Sequence, residues 1–238
     1  MLRALVAAVA LAAGSGPDPA APAGGQEVER VVAVVRARSS GAPHVITLTR
    51  LESETRVALV ARGAVLAAEG TLDGAALRAG LQALVDELLL VDEAARLQVF
   101  EVDAAERSSE LARFAARFPS RADFQEFLRR CDLVEEEVAS ALARAQRARR
   151  YVESRVARAG QISDAEVAAW LEQHATALGT RDREAARAQA AQERMAEEGR
   201  TLLREVRARA EVRLLGGLPE NSLAPGPAFT PAVRQARR

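Results

Sequence analysis

Between Leu77 and Val99 the chain reads LRAGLQALVDELLLVDEAARLQV. Leu77, Leu81, Leu84, Leu88 and Ala95 fall on one helical stripe, which Val85, Leu89 and Val91 widen. Leu88 to Val91 is apolar on every side, and a helix that is apolar all round is usually buried. This segment, opened by Asp73 as its N-cap, is expected to be the central helix of a helical domain.

The flanking pattern changes period. Val28 to Val35, VERVVAVV, is Val-rich, with Val31 to Val35 apolar on both faces, as in a covered strand. Ser39, Ser40, Gly41 and Pro43 make a turn, and His44 to Leu48, HVITL, returns as the second strand of a hairpin. Helices follow, each with a start signal. Thr49 with Glu52 opens one to about Arg62, and Gly63 and Gly70 bracket a looser link. Asp103 with Glu106 opens a helix to Phe118, where Pro119 stops it, and Ser120 with Asp123 opens a short one to about Cys131. Asp132 with Glu135 opens a long helix to about Ala159, ended by Gly160. Ser163 with Glu166 opens another through His174, and Gly179 breaks the pattern. A charged helix from Arg181 to Ala208 carries a sparse stripe of Met195, Leu202, Leu203 and Val206, and Glu211 to Leu215, EVRLL, alternates like an exposed-edge strand.

The first ordered element and the last are therefore both strands, with helices between. Short strands are not stable alone, so EVRLL is expected to pair with the N-terminal hairpin, Val212 and Leu214 facing inward. The expected fold class is mainly α with a small β-sheet, a multi-helix module closed by its C-terminal helix and strand (181–215) against the hairpin. Residues 1–25 read as a signal peptide and linker, from Arg3, the apolar run Leu5 to Ala13, and the small-residue sites Ala10-Leu11-Ala12 and Ala21-Pro22-Ala23; a disordered leader is the alternative. That run is too short to span a bilayer. Residues 216–238, with Pro219, Pro225, Pro227 and Pro231 and no periodicity, read as a disordered tail.

Composition narrows the chemistry. The 33 basic residues are all Arg, with no Lys in the chain, and 33 acidic residues balance them. Zero net charge argues against a dedicated nucleic-acid binder. Cys131 is the single cysteine, read as a small buried thiol with a reactive one as the alternative. His44 and His174 have no metal-binding spacing, and neither HExxH, CxxC, G-x-S-x-G nor a phosphate loop occurs. The pairs Asp103/Glu106, Asp132/Glu135 and Asp164/Glu166 lie at helix starts, where carboxylates accept orphan N–H groups. Arg144, Arg147, Arg149 and Arg150 read as a solvated helix face, with an anionic or nucleic-acid contact as the alternative. Phe114, Phe118, Phe124 and Phe127 cluster in a short span, with Tyr151 and Trp170 later. Most are expected in the core; the alternative is a groove for extended apolar peptides lined by Phe114, Phe118, Phe124, Phe127 and Trp170.

The ordered set VERVVAVV before ITLTRLE, LQALVDELLLVDEAARLQV, FPSRADFQEFLRRCDLVEEEV, ISDAEVAAWLEQH and MAEEGRTLLREVRARAEVRLL resembles the chaperone module of SurA-type periplasmic proteins, over Val28 to Leu215. In that family a parvulin prolyl-isomerase domain usually sits between the segments resembling the last two. Here only Ala177 to Arg183 separates them, too short for a domain. The resemblance implies an exported, ATP-independent chaperone that binds unfolded envelope or secreted polypeptides, with no cofactor, no isomerase activity and no stable membrane anchor. The alternatives are a prolyl isomerase acting through other residues and a helical adaptor for one folded envelope protein.

Overall fold

A computed structural model describes residues 29–38, 42–178 and 183–216, with the side chains of 175–178 set aside. The expected signal peptide, the Gly179 break and the expected C-terminal tail beyond Gly216 lie outside the described residues. The chain runs β1 (Val31–Ala37), β2 (His44–Thr47), α1 (Leu48–Ala61), α2 (Val65–Glu69), α3 (Gly74–Arg96), α4 (Ala104–Ala115), α5 (Arg121–Arg130), α6 (Glu135–Val156), α7 (Asp164–Leu178), α8 (Arg183–Ala208) and β3 (Ala210–Leu214). It is mainly helical with one small sheet, as the pattern of the chain implies.

The sheet closes the molecule. Its order is β2-β1-β3, antiparallel throughout, so the last strand lies beside the first. Ala33 faces Leu214, Val35 faces Val212 and Ala37 faces Ala210 across β1 and β3. Val212 and Leu214 turn toward the core, while Glu211 and Arg213 are exposed, following the two-residue period. A register shift between Val31 and Ala33 bends β1, so that Val32 and Ala33 are both buried. The covered-strand expectation is corrected: Ala33, Val35 and Ala37 are buried, but half-buried Val34, between Val45 and Arg213, and exposed Arg36, opposite Glu211, turn to the outer face.

Three clusters fill the interior. The main core joins the sheet to α3, to Leu51 of α1, to Tyr151, Val152 and Val156 of α6, and to Leu202 and Val206 of α8. Within α3, Leu81, Leu84, Val85, Leu88, Leu89 and Leu90 are buried, as expected of a central helix. Ala95 is exposed and Ala94 takes its place, because the stripe drifts at 3.6 residues per turn. A second core gathers the phenylalanines under α1, α2, α4, α5 and the start of α6. The third, Val167, Trp170, Ala186 and Ala190, holds α7 against α8.

Several helix starts sit where their caps place them. Asp73 accepts from Ala76 N at 2.7 Å, Asp103 and Glu106 form a reciprocal capping box, and Ser120 accepts from Asp123 N. Ser163 and Glu166 do likewise, and two hydrogen bonds from Ser163 with one from Arg194 lower the Glu166 carboxyl to about 2. Two starts differ from expectation. The cap of α1 is Thr47, whose extended backbone ends β2 and whose hydroxyl accepts from Arg50 N. The helix therefore begins directly off the strand, with its cap two residues before Thr49. Asp132 has φ +51° in the turn after α5, and α6 starts instead after Val134, whose N–H donates to Glu137. The link between Gly63 and Gly70 contains the short helix α2, pinned by Arg56 donating to the Ala68 and Gly70 carbonyls.

Candidate functional site

The residues singled out as a peptide groove are placed inside. Phe114, Phe118, Phe124 and Phe127 are all buried, with Phe118 and Phe127 ring centroids 5.0 Å apart and Phe114 and Phe124 edge-on at 6.0 Å. This is close aromatic packing between α4, α5 and the turn joining them. Trp170 is separate from them, in the α7–α8 cluster, stacked on His174 with centroids 4.2 Å apart and donating Nε1–H to Glu193 at 2.7 Å. In the closed chain these five aromatics are packing residues, and a polypeptide would meet them only after α4–α5 or α7–α8 opened.

Of the four α6 arginines expected on a solvated face, Arg149 is exposed, but Arg144, Arg147 and Arg150 are half-buried against partners elsewhere in the fold. Arg147 donates to the Val99 carbonyl, Arg150 grips both oxygens of Glu106, and Arg149 lies 3.9 Å from Glu110. Arg144 reaches between α1 and α3, donating Nε to Glu87 Oε1 at 2.7 Å and Nη2 to Glu54 Oε1. One guanidinium thus ties three helices. His44 of β2 meets both oxygens of Asp92 on α3 at 3.0 Å, which fixes the sheet to the central helix. Cys131 is half-buried, and burial pushes its thiol up. Among the described residues no group of three or more His, Cys, Asp or Glu could hold a metal ion, and no helix is long and apolar enough to cross a membrane.

An open cavity of about 180 Å³ lies where α1 and α3 pack, beside the Arg144 tie. Its walls are Ala58 and Leu59 of α1 and Ala76, Ala79, Ala83 and Leu84 of α3; Glu54 and Glu87 supply polar atoms, and Arg62 closes the far end. The floor exists because α1 and α3 approach closely at Gly80. A Cβ there would come within 2.0 Å of Thr55 Oγ1. Glycine in a helix interior costs about 0.5–1 kcal/mol against alanine, so Gly80 reports a packing need of this crossing.

Two features make the cavity chemically unusual. Thr55 is 4% exposed and its hydroxyl has no hydrogen-bond partner. An unpaired buried hydroxyl is costly and rare. Beside it, burial pushes the Glu87 carboxyl up to about 7; Arg144 pulls it down, Glu54 pushes it further up, and Arg50 pulls weakly. Sequence reasoning missed this constellation. The signals present were a glycine and an acid, Gly80 and Glu87, inside the most apolar helix, and Thr55 one turn after Leu51 on the inner side of α1.

No protein-family model, curated protein or solved structure matches the chain.

Proposed function

We propose that this protein is a non-catalytic polypeptide-binding module that holds extended or unfolded segments of exported proteins, without nucleotide or cofactor. The observation that carries the reading is the α1–α3 cavity. It is open to solvent, walled by alanine and leucine, and furnished with a few polar groups at its ends. Pockets that seat one side chain of a flexible chain have this make-up. At about 180 Å³ it holds a single residue, so binding is weak per site and tolerant of sequence.

The closed architecture supports the same reading. The C-terminal strand completes the sheet begun by β1, and α7 passes to α8 through residues 179–182 alone. The resemblance to SurA-type modules rests on the ordered sequence segments quoted above.

The test is aggregation of a chemically denatured outer-membrane barrel protein, followed by light scattering without nucleotide. The protein at a few-fold molar excess is expected to delay aggregation, and Ala83→Leu, which fills the cavity from an exposed helix position, is expected to weaken the delay while the melting temperature holds. Failure to protect any unfolded client, together with tight capture of one folded envelope protein, would assign the molecule to the adaptor reading.

A further inference from the structure

The sheet has one open edge. Leu215 donates its N–H to the Val32 carbonyl at 3.0 Å. In the antiparallel register of β1 and β3, the main-chain groups of Glu211, Arg213 and Leu215 therefore point into the sheet. Those of Ala210, Val212 and Leu214 point to the free side of β3, where they have no hydrogen-bond partner among the described residues. The other edge is partly closed: the Val45 carbonyl of β2 accepts from Arg50 Nη1 at 3.0 Å, and the strand passes straight into α1. An unpaired strand edge is a template for a further strand. The side chains of β3 form two sets. Ala210, Val212 and Leu214 are only half-buried, while Glu211 and Arg213 stand on the outer face with side chains 49% and 72% exposed.

We propose that this edge pairs with β3 of a second copy of the chain, antiparallel across a two-fold axis at Val212. A two-fold contact must be self-complementary, and the sequence Ala210-Glu211-Val212-Arg213-Leu214 is so. With Val212 opposite its own copy, Ala210 stands opposite Leu214 of the second copy and Leu214 opposite its Ala210. These are the residues whose main-chain groups are free, so each of these pairs exchanges both hydrogen bonds. In the same register Glu211 stands opposite Arg213 of the second copy, and Arg213 opposite its Glu211. A slip of two residues sets Arg213 against Arg213 or Glu211 against Glu211, and like charges directly opposite are destabilising. A slip of one sets inward side chains against outward ones. A single register thus satisfies the hydrogen bonds, the apolar face and the charges together.

The neighbouring charges agree. Within one chain Arg213 donates Nε to Glu211 Oε1 at 2.6 Å, and the second copy sets this pair beside its mirror in charge. Exposed Arg36 lies opposite Glu211 on β1. The row across the joined sheets is then Arg36, Glu211 and Arg213 of the second copy, alternating in sign. On the inner side half-buried Val212 and Leu214 gain an apolar neighbour each. The joined sheet runs β2-β1-β3-β3-β1-β2 and leaves no β3 edge uncovered. The α1–α3 cavity lies on other elements, so this pairing stands or falls independently of the polypeptide-binding reading.

The test is sedimentation velocity on the full-length protein as its concentration is raised from low to high micromolar. The native chain is expected to pass from one copy to two. Glu211→Arg makes the outer row of β3 wholly basic and Arg213→Glu makes it wholly acidic. Each alone is expected to raise the dissociation constant about tenfold, because two opposite-charge pairs become two like-charge pairs. An equimolar mixture of the two variants is expected to recover the dimer, as is the double variant Glu211→Arg, Arg213→Glu, which restores the pairing within and between copies. Recovery also shows that neither single variant had lost its fold. A monomer at every concentration overturns the inference, including one that takes up an extended client peptide at β3 instead. A dimer indifferent to both substitutions places the interface elsewhere and overturns it, and loss without recovery on mixing shows that β3 does not face β3.

Discussion

Arg207, near the end of α8, holds Asp86 in the middle of α3 with two hydrogen bonds, Nε to Oδ1 at 2.5 Å and Nη2 to Oδ2 at 2.8 Å. The pair joins residues 121 positions apart and fixes the closing helix on the central one just before β3 enters the sheet. Burial pushes the Asp86 carboxyl up even though Arg207 pulls it down, so the aspartate depends on this one cation. Arg207→Ala leaves it half-desolvated and unpaired. The expected loss is about 1–3 kcal/mol, between the values for exposed and buried pairs, read by urea denaturation. Asp86→Asn in the Arg207→Ala background is expected to recover part of it, because no charge then remains to be solvated.

Closure of the sheet gives a second expectation. Ending the chain at Arg209 removes β3, uncovers one edge of β1 and exposes core contacts of Val212 and Leu214. The cost is about 2–4 kcal/mol, from two half-buried side chains and ladder bonds worth about 0.5–1.5 kcal/mol each. Ending it at Gly216 keeps every described contact of β3 and is expected to leave the thermal midpoint within error. Equal melting of the two truncations would show that β3 does not hold the fold.

Phe127 decides between packing and client contact for the aromatic cluster. It is fully buried among Phe114, Phe118 and the α5–α6 turn. Phe127→Ala is expected to cost about 3–5 kcal/mol, with protection of an unfolded client lost only in proportion to unfolding. Loss of protection at an unchanged melting temperature would instead make it a contact residue.

Gly80 and Thr55 form a steric pair open to a double-mutant cycle. Gly80→Ala places a methyl group against the Thr55 hydroxyl and is expected to destabilise by about 1–3 kcal/mol, as overpacking does. Thr55→Ala removes the clashing atoms and the unsatisfied hydroxyl at once. The double variant is expected to be more stable than Gly80→Ala alone, a coupling that additive sites would not show.

These residues also mark how far the chain can be read before it is folded. The central helix, the caps at Asp73, Asp103, Ser120 and Ser163, and the terminal strands were legible because each is set by local period or local hydrogen bonding. The cap at Thr47 was not, because it depends on Leu48 N donating to the Arg30 carbonyl across the sheet. The α6 arginines read as solvated because their partners, Glu54, Glu87, Glu106 and Glu110, lie on other helices. The cavity needs the crossing of α1 and α3, which periodicity does not encode; Gly80 and Glu87 inside the apolar helix and Thr55 on the inner side of α1 were its local traces.

Glu87 sets the last expectation, a stability that falls as pH rises. Its carboxyl moves from an ordinary value of 4.5 to about 7 on folding, mainly through burial. The folded state therefore binds this proton more tightly than the unfolded state does. The stabilisation is complete below about pH 4.5 and is lost as pH rises through about 7. The shift is equivalent to no more than about 3 kcal/mol, and less in practice because part of the side chain still meets solvent. Exposed carboxylates act in the opposite direction. Arg150 lowers Glu106, Arg129 lowers Glu126 and Arg200 lowers Glu197, and their stabilisation is lost as pH falls. The measurement is thus a difference, the urea midpoint of the protein minus that of Glu87→Gln, at half-unit steps from pH 4.5 to 8. Glutamine keeps an acceptor for Arg144 and carries no proton to lose. The difference is expected to move against the native protein as pH rises, most steeply between the two pKa values of 4.5 and about 7; a flat difference would show that Glu87 is ionised in the folded state throughout this range.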